Sequence, residues 1–226
     1  MFLAGLPAVA FAEDVGQDTM TEALVVATPL ADVDSAHAVD GSTYKVTSNS
    51  PMTVTFTKSK NAKSITVPDT VKISGKAYKV TEIASNAFAP AKKTLTTVKI
   101  GKNVTVIGAS AFAGCAKLKT VTGGAAVKTI KTKVFKSCKV MTKCSPLASK
   151  KLKTIGASAL SGAKKLKTVT VKSKKLTKKK VKGALKGSSV KTVKVSVGKA
   201  KVNKTYVKKY KKLFTKANCG KKVKVK

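Results

Sequence analysis

A sequence unit of 23 to 25 residues recurs through the second half of the chain, and this period constrains the fold more than any other feature. Each copy has an apolar residue, two intervening residues and an isoleucine, and an aromatic residue or leucine follows five places later. The clearest copies are VTEIASNAF (80–88), VTVIGASAF (104–112), VKTIKTKVF (127–135) and LKTIGASAL (152–160). A unit this short cannot bury its own apolar face, so successive units must stack and share one core.

A second apolar triplet, of the form L-x-x-V-x-I, follows each copy at the same period. The triplets begin at Leu95, Leu118, Met141, Leu166 and Val190. The sequence therefore predicts a β-rich α+β solenoid with one short strand per L-x-x-V-x-I segment and short helical turns. Pro146 ends the third triplet, and Lys180 stands where the fifth unit should have isoleucine, so we expect irregular turns at these two places.

The segments on either side of the repeats (79–198) have the patterns of end caps. Short alternating runs, such as MTVTF (52–56), predict an N-terminal β cap over residues 42–78. In residues 199–226, apolar side chains recur at helical spacing and VKV (223–225) follows, so we expect a helix and a final strand to cover the open end of the stack. Alternatively, this basic helix could lie on an anionic membrane.

Two segments, IGASAFAGCAKLKTVT (107–122) and IGASALSGAKKLKTVTV (155–171), together with their weaker copies, resemble the BspA-like leucine-rich repeats of bacterial secreted and cell-surface proteins. The resemblance extends over residues 44–226. It is specific for the fold and weak for function. It implies a non-catalytic interaction or adhesion module that is secreted or held at the cell surface.

The first 41 residues have a different composition. Residues 2–12 form an apolar run ending in Ala-Phe-Ala, a pattern typical of signal peptidase cleavage, which we expect after Ala12. We interpret residues 1–12 as a signal-peptide remnant whose basic region is missing because the reading frame starts late; the alternative is the frayed N-terminus of a cytosolic protein. Residues 13–41 are acidic and predict a disordered leader. No run approaches the roughly 18 apolar residues of a transmembrane segment.

The charges are sorted along the chain. Seven of the nine acidic residues lie in the first 40 positions, which contain no lysine, whereas residues 41–226 contain all 47 basic residues. Every basic residue is lysine, and arginine is the side chain suited to bidentate recognition of guanine and phosphate. The sequence therefore argues against sequence-specific nucleic-acid binding.

The repeat region lacks the side chains of ordinary catalysis. After Glu82 the chain contains no aspartate, glutamate or histidine, and acid–base or triad chemistry needs at least one of them. We interpret Asp69 and Glu82 as surface carboxylates that balance lysines. The sequence thus predicts no catalytic residues, no metal site and no cofactor.

Four cysteines are the remaining soft side chains. Cys115, Cys138 and Cys144 occupy core positions of the repeat, where cysteine packs as a small apolar residue. A Cys115–Cys138 disulfide is an alternative, because stacked turns bring equivalent positions to about 4.8 Å. A four-cysteine zinc site is disfavoured by the absence of any C-x-x-C pair. Cys219 could be free or paired.

The outward positions of the L-x-x-V-x-I strands combine lysine with threonine. We take six lysines as the candidate binding face: Lys99, Lys119, Lys143, Lys167, Lys191 and Lys194. Such a sheet commonly lines the binding surface of a solenoid. The expected partner is a host or cell-surface protein or an anionic polymer, bound by a monomer. The alternative is a solvated face that only keeps the protein soluble and monomeric.

Overall fold

The structure of the protein, a computed structural model, describes residues 29–226. The predicted signal-peptide remnant and residues 13–28 of the predicted leader lie outside the described residues. The N-terminal strands are β1 (Ala36–Val39), β2 (Ser42–Asn49), β3 (Met52–Lys58), β4 (Ser64–Val67), β5 (Thr70–Ile73) and β6 (Lys76–Ile83). Strands β1, β2 and β3 pair antiparallel; β3 pairs parallel with β6, which also pairs antiparallel with β5.

Strand β1 lies inside the segment that the sequence predicted to be disordered, so that prediction is wrong for residues 36–39. Asp40 and Gly41 connect β1 to β2, and both have positive φ, 50° and 72°. A two-residue loop with positive φ at both positions forms the hairpin turn that Asp-Gly favours. This local turn signal outweighs the acidic composition of the segment.

Each of the first three repeats contributes one strand to each of two parallel ladders. The repeat strands are β7 (Thr97–Ile100), β8 (Val106–Ile107), β9 (Thr120–Gly123), β10 (Thr129–Ile130), β11 (Lys143–Cys144), β12 (Thr154–Ile155), β13 (Thr168–Val171) and β14 (Thr192–Val195). One ladder continues β6 through β8, β10 and β12, and the other continues β4 through β7, β9 and β11. β13 and β14 belong to a separate three-stranded sheet.

The solenoid and its strands at the L-x-x-V-x-I segments are confirmed, and the structure adds a second strand at the repeat isoleucine in each of the first four units. The isoleucines pair in register across β6, β8, β10 and β12. The predicted irregular turns are also confirmed. Short 3₁₀ segments occur at Ser145–Ala148, which contains Pro146, and at Lys179–Val181, which contains Lys180.

The turns between the two ladders are hydrogen-bonded from unit to unit. One residue in each unit has positive φ at the same repeat position: Asn86, Ser110, Lys133 and Ser158. Two places later, the backbone N–H of each repeat phenylalanine donates to a carbonyl of the next unit, at 2.8–3.0 Å. These bonds satisfy backbone groups of the connections, which are hydrogen-bonded turns at most places where the sequence predicted short helical turns.

The core is a continuous apolar column along the stack. Four phenylalanine rings lie face to face, with centroid separations of 5.3 Å for Phe56–Phe88, 4.2 Å for Phe88–Phe112 and 5.2 Å for Phe112–Phe135. Leu160 and Leu185 occupy the same repeat position in the following units and are also buried. The shared core predicted from the repeat period is therefore present.

The C-terminal segment covers the last unit of the stack. It contains α1 (Ala200–Lys211), α2 (Lys216–Cys219) and β15 (Lys224–Val225), and β15 pairs parallel with β14. Tyr210 of α1 is buried, and its hydroxyl donates to the backbone carbonyl of Ser173. Tyr206 and Val207 also pack against the core. The predicted helical cap is confirmed, because the apolar side of α1 faces the protein.

Candidate binding face

The structure exposes all six lysines of the candidate binding face. Lys99, Lys143 and Lys194 lie within strands, and the other three immediately precede strands. The six do not form one surface on a continuous sheet, however. Three belong to the four-stranded sheet β4–β7–β9–β11 and three to the three-stranded sheet β13–β14–β15. The 3₁₀ segment at Ser145–Ala148 separates the two sheets in the chain.

Within the four-stranded sheet, lysines and threonines alternate between neighbouring strands. Lys99 pairs with Thr122, and Lys143 pairs with Thr120. The backbone N–H of Lys119 donates to the carbonyl of Thr96 at 2.8 Å. Each lysine therefore has threonines as its lateral neighbours, and the strand register keeps these charges apart.

The three-stranded sheet has a different arrangement. The backbone N–H of Lys191 donates to the carbonyl of Lys167 at 2.8 Å, so these lysines are neighbours on adjacent strands. Two unit charges about 5 Å apart repel by roughly 0.8 kcal/mol in bulk water, before screening by salt. Lys194 instead pairs with Thr170. Like charges therefore accumulate at the start of β13 and β14.

A groove of about 730 Å³ opens beside this lysine pair. It is lined by Lys167, Ser188, Ser189, Val190, Lys191, Lys221, Lys222, Val223 and Lys224. Lys221 is partly buried, and its ammonium group donates to the backbone carbonyl of Ser188. Burial, followed by the charges of Lys167 and Lys191, lowers the pKa of Lys221. Sequence reasoning missed the three C-terminal lysines, although the predicted final strand had to pair beside the last repeat.

Three described carboxylates form ion pairs, and one of them, Asp69, lies close enough to Lys99 of the candidate face for the charge of Lys99 to contribute to lowering its pKa. Asp69 pairs with Lys102 and Glu82 with Lys131, each at 3.2 Å, as expected of surface groups that balance lysines. The backbone N–H of Lys102 also donates to Asp69, and this hydrogen bond is the main cause of the lowered pKa of that carboxyl. Asp34 pairs with Lys45 at 2.9 Å in the N-terminal cap.

The cysteines are free thiols in packed positions. Cys115 and Cys138 are buried, and the Cys138 thiol donates to the carbonyl of Phe112 at 3.2 Å. Burial raises the pKa of Cys115 and of Cys144 to about 12 and that of Cys138 still further. The expected core positions of Cys115 and Cys138 are confirmed, whereas Cys144 is only partly buried and packs against the core. The raised pKa values leave these thiols little thiolate character at neutral pH. Cys219 is also buried and free.

Residues 29–226 contain no group of three or more histidine, cysteine, aspartate or glutamate side chains that could hold a metal ion. Among the same residues, no helix is both long and apolar enough to cross a membrane. What the geometry offers is an extended surface of lysine and hydroxyl groups, with a basic groove at the C-terminal end of the stack.

Stacked units with two parallel ladders and a shared apolar column define the protein as a leucine-rich-repeat solenoid. Residues 81–213 match the BspA type leucine rich repeat region in six copies, and the chain belongs to this family. The match indicates no enzyme family. A comparison with curated proteins gave no match.

Solved structures support the fold. The chain is similar to a leucine-rich cell surface protein of Faecalibacterium prausnitzii, with 24% identity, a TM-score of 0.53, and coverage of 73% of this chain and 46% of that one. A leucine-rich repeat protein of T. pallidum has 24% identity, a TM-score of 0.56 and 67% coverage of both chains. One from Bacteroides ovatus has 23% identity and a TM-score of 0.52, over 70% of this chain and 46% of that one. This chain thus matches less than half of the F. prausnitzii protein.

Proposed function

We propose that this protein is a secreted or cell-surface interaction module whose lysine face binds an anionic partner. The observation that carries the proposal is that the lysine charges of the face are not balanced by ion pairs. All six face lysines are exposed, none of them forms an ion pair among the described residues, and the chain has no acidic residue after Glu82. An acidic protein surface or an anionic polymer would relieve the repulsion among these lysines and release their counter-ions.

The location rests on two observations. Residues 2–12 have the apolar run and small-x-small ending of a signal peptide, and the structurally similar F. prausnitzii protein is described as a cell surface protein. A repeat protein outside the cell that offers a broad face of long polar side chains is suited to holding a large partner. Adhesion to a host or cell-surface molecule is the role that we propose.

The second candidate is generic polyanion binding, in which the whole charge of the protein acts and no particular face is needed. It is favoured by the wide distribution of exposed lysines, which also cover the turns and α1, for example Lys136, Lys182 and Lys204. Generic binding predicts affinity that depends on salt and total charge alone. A partner recognised by the face predicts affinity that depends on which lysines are removed.

The test compares two variants of the full chain that lose the same number of charges. One carries Lys→Gln at the six face positions. The matched control carries Lys→Gln at six exposed positions elsewhere: Lys136, Lys139, Lys153, Lys178, Lys182 and Lys204. Binding to heparin and to a bacterial wall preparation is measured across a salt series, and circular dichroism checks that each variant is folded.

We expect the face variant to bind at least about tenfold more weakly than the control, a difference of roughly 1.4 kcal/mol. Equal weakening of both variants would refute the face and establish generic polyanion binding. Unchanged binding by both variants would also refute the face, since neither set of lysines would then be needed. No binding by the wild-type chain to either probe would refute anionic-partner binding altogether.

A further inference from the structure

The groove at the C-terminal end of the stack is built by three separate parts of the chain. Lys167 comes from the start of β13, Ser188 and Lys191 from the approach to β14, and residues 221–224 from the segment after α2. Such a site exists only in the folded protein, because these segments are far apart in the sequence. Its lysines therefore converge through tertiary structure rather than through a run of basic sequence.

The walls of the groove are held in place by backbone hydrogen bonds. β15 pairs with β14, and the backbone N–H of Lys224 donates to the carbonyl of Lys191 at 2.9 Å. Gly220 ends α2 with a φ of 72°, and its N–H donates to the carbonyl of Lys216 at 2.8 Å. The segment that carries Lys221 is thus fixed at both ends, and the Lys221 ammonium is fixed in turn by the Ser188 carbonyl.

The groove also differs from the rest of the lysine face in its charge. In the four-stranded sheet the register places threonine beside each lysine, whereas here Lys167 and Lys191 are neighbours and three further lysines surround them. The groove is lined by no acidic residue. The lowered pKa of Lys221, caused by burial and then by Lys167 and Lys191, agrees with ammonium groups crowded in one place.

We propose that this groove is a discrete binding site for a phosphate or sulfate ester carried by a larger molecule. Lysine ammonium groups are compact charges with several donors each, and they bind tetrahedral oxyanions without the planar geometry that arginine imposes. A volume of about 730 Å³ is large enough for the charged group and part of the sugar or polymer that bears it. This inference rests on the proposed binding of an anionic partner and specifies the charged group of that partner, a phosphate or sulfate ester.

The test uses the full chain and two small probes, inorganic pyrophosphate and a sulfated disaccharide, at about 50 mM salt, where screening is weak. Calorimetry measures affinity and stoichiometry. The groove variant carries Lys→Gln at Lys221, Lys222 and Lys224, none of which belongs to the six-lysine face. The matched control carries Lys→Gln at the exposed Lys136, Lys139 and Lys153, which belong neither to the face nor to the groove, so both variants lose three charges.

We expect saturable one-to-one binding of at least one probe by the wild-type chain and by the control, and a loss of about tenfold or more in the groove variant. The probe that binds more tightly identifies the phosphate or the sulfate source. Binding without a one-to-one limit, or an equal loss in both variants, would overturn the site. Lys222→Gln alone, at an exposed side chain, is the fallback if the triple variant does not fold, and about a threefold loss is expected.

Heparin binding by the same samples separates this inference from the proposed function. If the wild-type chain binds heparin through the face but neither small probe binds with saturation, the groove site is refuted and the anionic-partner function stands. If the wild-type chain also binds neither heparin nor the wall preparation, both proposals fail together.

Discussion

At the residue scale, the close stacking of units depends on small side chains at particular points of contact. Gly108 and Gly156 follow the repeat isoleucine in the second and fourth copies. A Cβ added to Gly156 would lie 2.5 Å from the carbonyl carbon of Lys131 in the preceding unit, a distance at which backbone must move. The glycine thus sets how closely two turns approach, which apolar periodicity alone does not reveal.

We expect Gly156→Ala to lower the free energy of unfolding by about 2 kcal/mol, because the added methyl group pushes two backbone segments apart. Urea denaturation monitored by circular dichroism measures the change. The control is Gly198→Ala, where the added Cβ would meet Val202 at an ordinary 3.4 Å and φ is not positive. A loss from Gly156→Ala no larger than that of the control would contradict the contact.

At the element scale, each unit is held to its neighbours by two strand ladders, by the bonded turns and by the apolar column. Phe112 lies between two other rings of the column, with ring centroids at 4.2 and 5.2 Å. The same repeat position holds Leu160 and Leu185 further along the stack. The column therefore requires a large apolar side chain at this position, and aromatic stacking is an additional stabilisation in the first units only.

We accordingly expect Phe112→Leu to cost about 1 kcal/mol and Phe112→Ala about 3–4 kcal/mol in the free energy of unfolding. The alanine variant leaves a cavity between Phe88 and Phe135 that neither ring can fill from its own unit. Chemical denaturation of the three proteins in parallel provides the comparison. Equal losses for leucine and alanine would mean that stacking of rings, rather than filled volume, stabilises the column.

The C-terminal helix is attached to the stack through a buried phenol. Burial raises the pKa of Tyr210 from its usual 10 to about 12, so the neutral phenol is favoured in the folded protein. The stability that follows from this shift is fully present below pH 10 and is lost as the pH rises from about 10 to about 12. Tyr44 has a pKa raised to about 12 by the same cause and contributes a parallel loss.

Tyr210→Phe tests this attachment. The variant should be less stable than the wild-type chain at pH 7, by about 1 kcal/mol, because the hydrogen bond to the Ser173 carbonyl is gone. Between pH 9 and about 12 it should lose less stability, since one shifted titration has been removed. Thermal midpoints across this pH range measure both effects. A pH dependence identical to that of the wild-type chain would show that the Tyr210 phenol does not titrate with unfolding.

The repeat period was sufficient to predict the elements that contain an apolar triplet, and the helical spacing in residues 199–226 was sufficient to predict the cap. Strands of two residues, such as Thr129–Ile130, carry too little alternation to be predicted. Strand β1 was missed because composition was weighed above the Asp40-Gly41 turn. The exposure of the six lysines was also predictable, but their division between two sheets depends on the irregular chain around Pro146.

At the scale of the whole molecule, the dominant physical fact is a net charge of +38. The core stabilises the fold locally, between neighbouring units, whereas the repulsion among lysines acts over the whole surface and opposes compaction. A solenoid tolerates this better than a sphere of the same size, because its elongated form separates charges. The remaining repulsion should be greatest in the groove beside β14 and β15, where five lysines line one cavity.

This localisation predicts how stability responds to salt. The thermal midpoint of the wild-type chain should rise by roughly 5 °C between about 20 and 500 mM potassium chloride, as the Debye length falls from about 20 Å to a few ångström. The groove variant, with Lys→Gln at Lys221, Lys222 and Lys224, should have a higher thermal midpoint at low salt, and this midpoint should rise less when salt is added. A variant with Lys→Gln at Lys99, Lys119 and Lys143 should keep more of the wild-type rise in thermal midpoint with salt, because threonines already separate those charges. Equal responses from the two variants would mean that repulsion depends on total charge and that the strand register does not concentrate it.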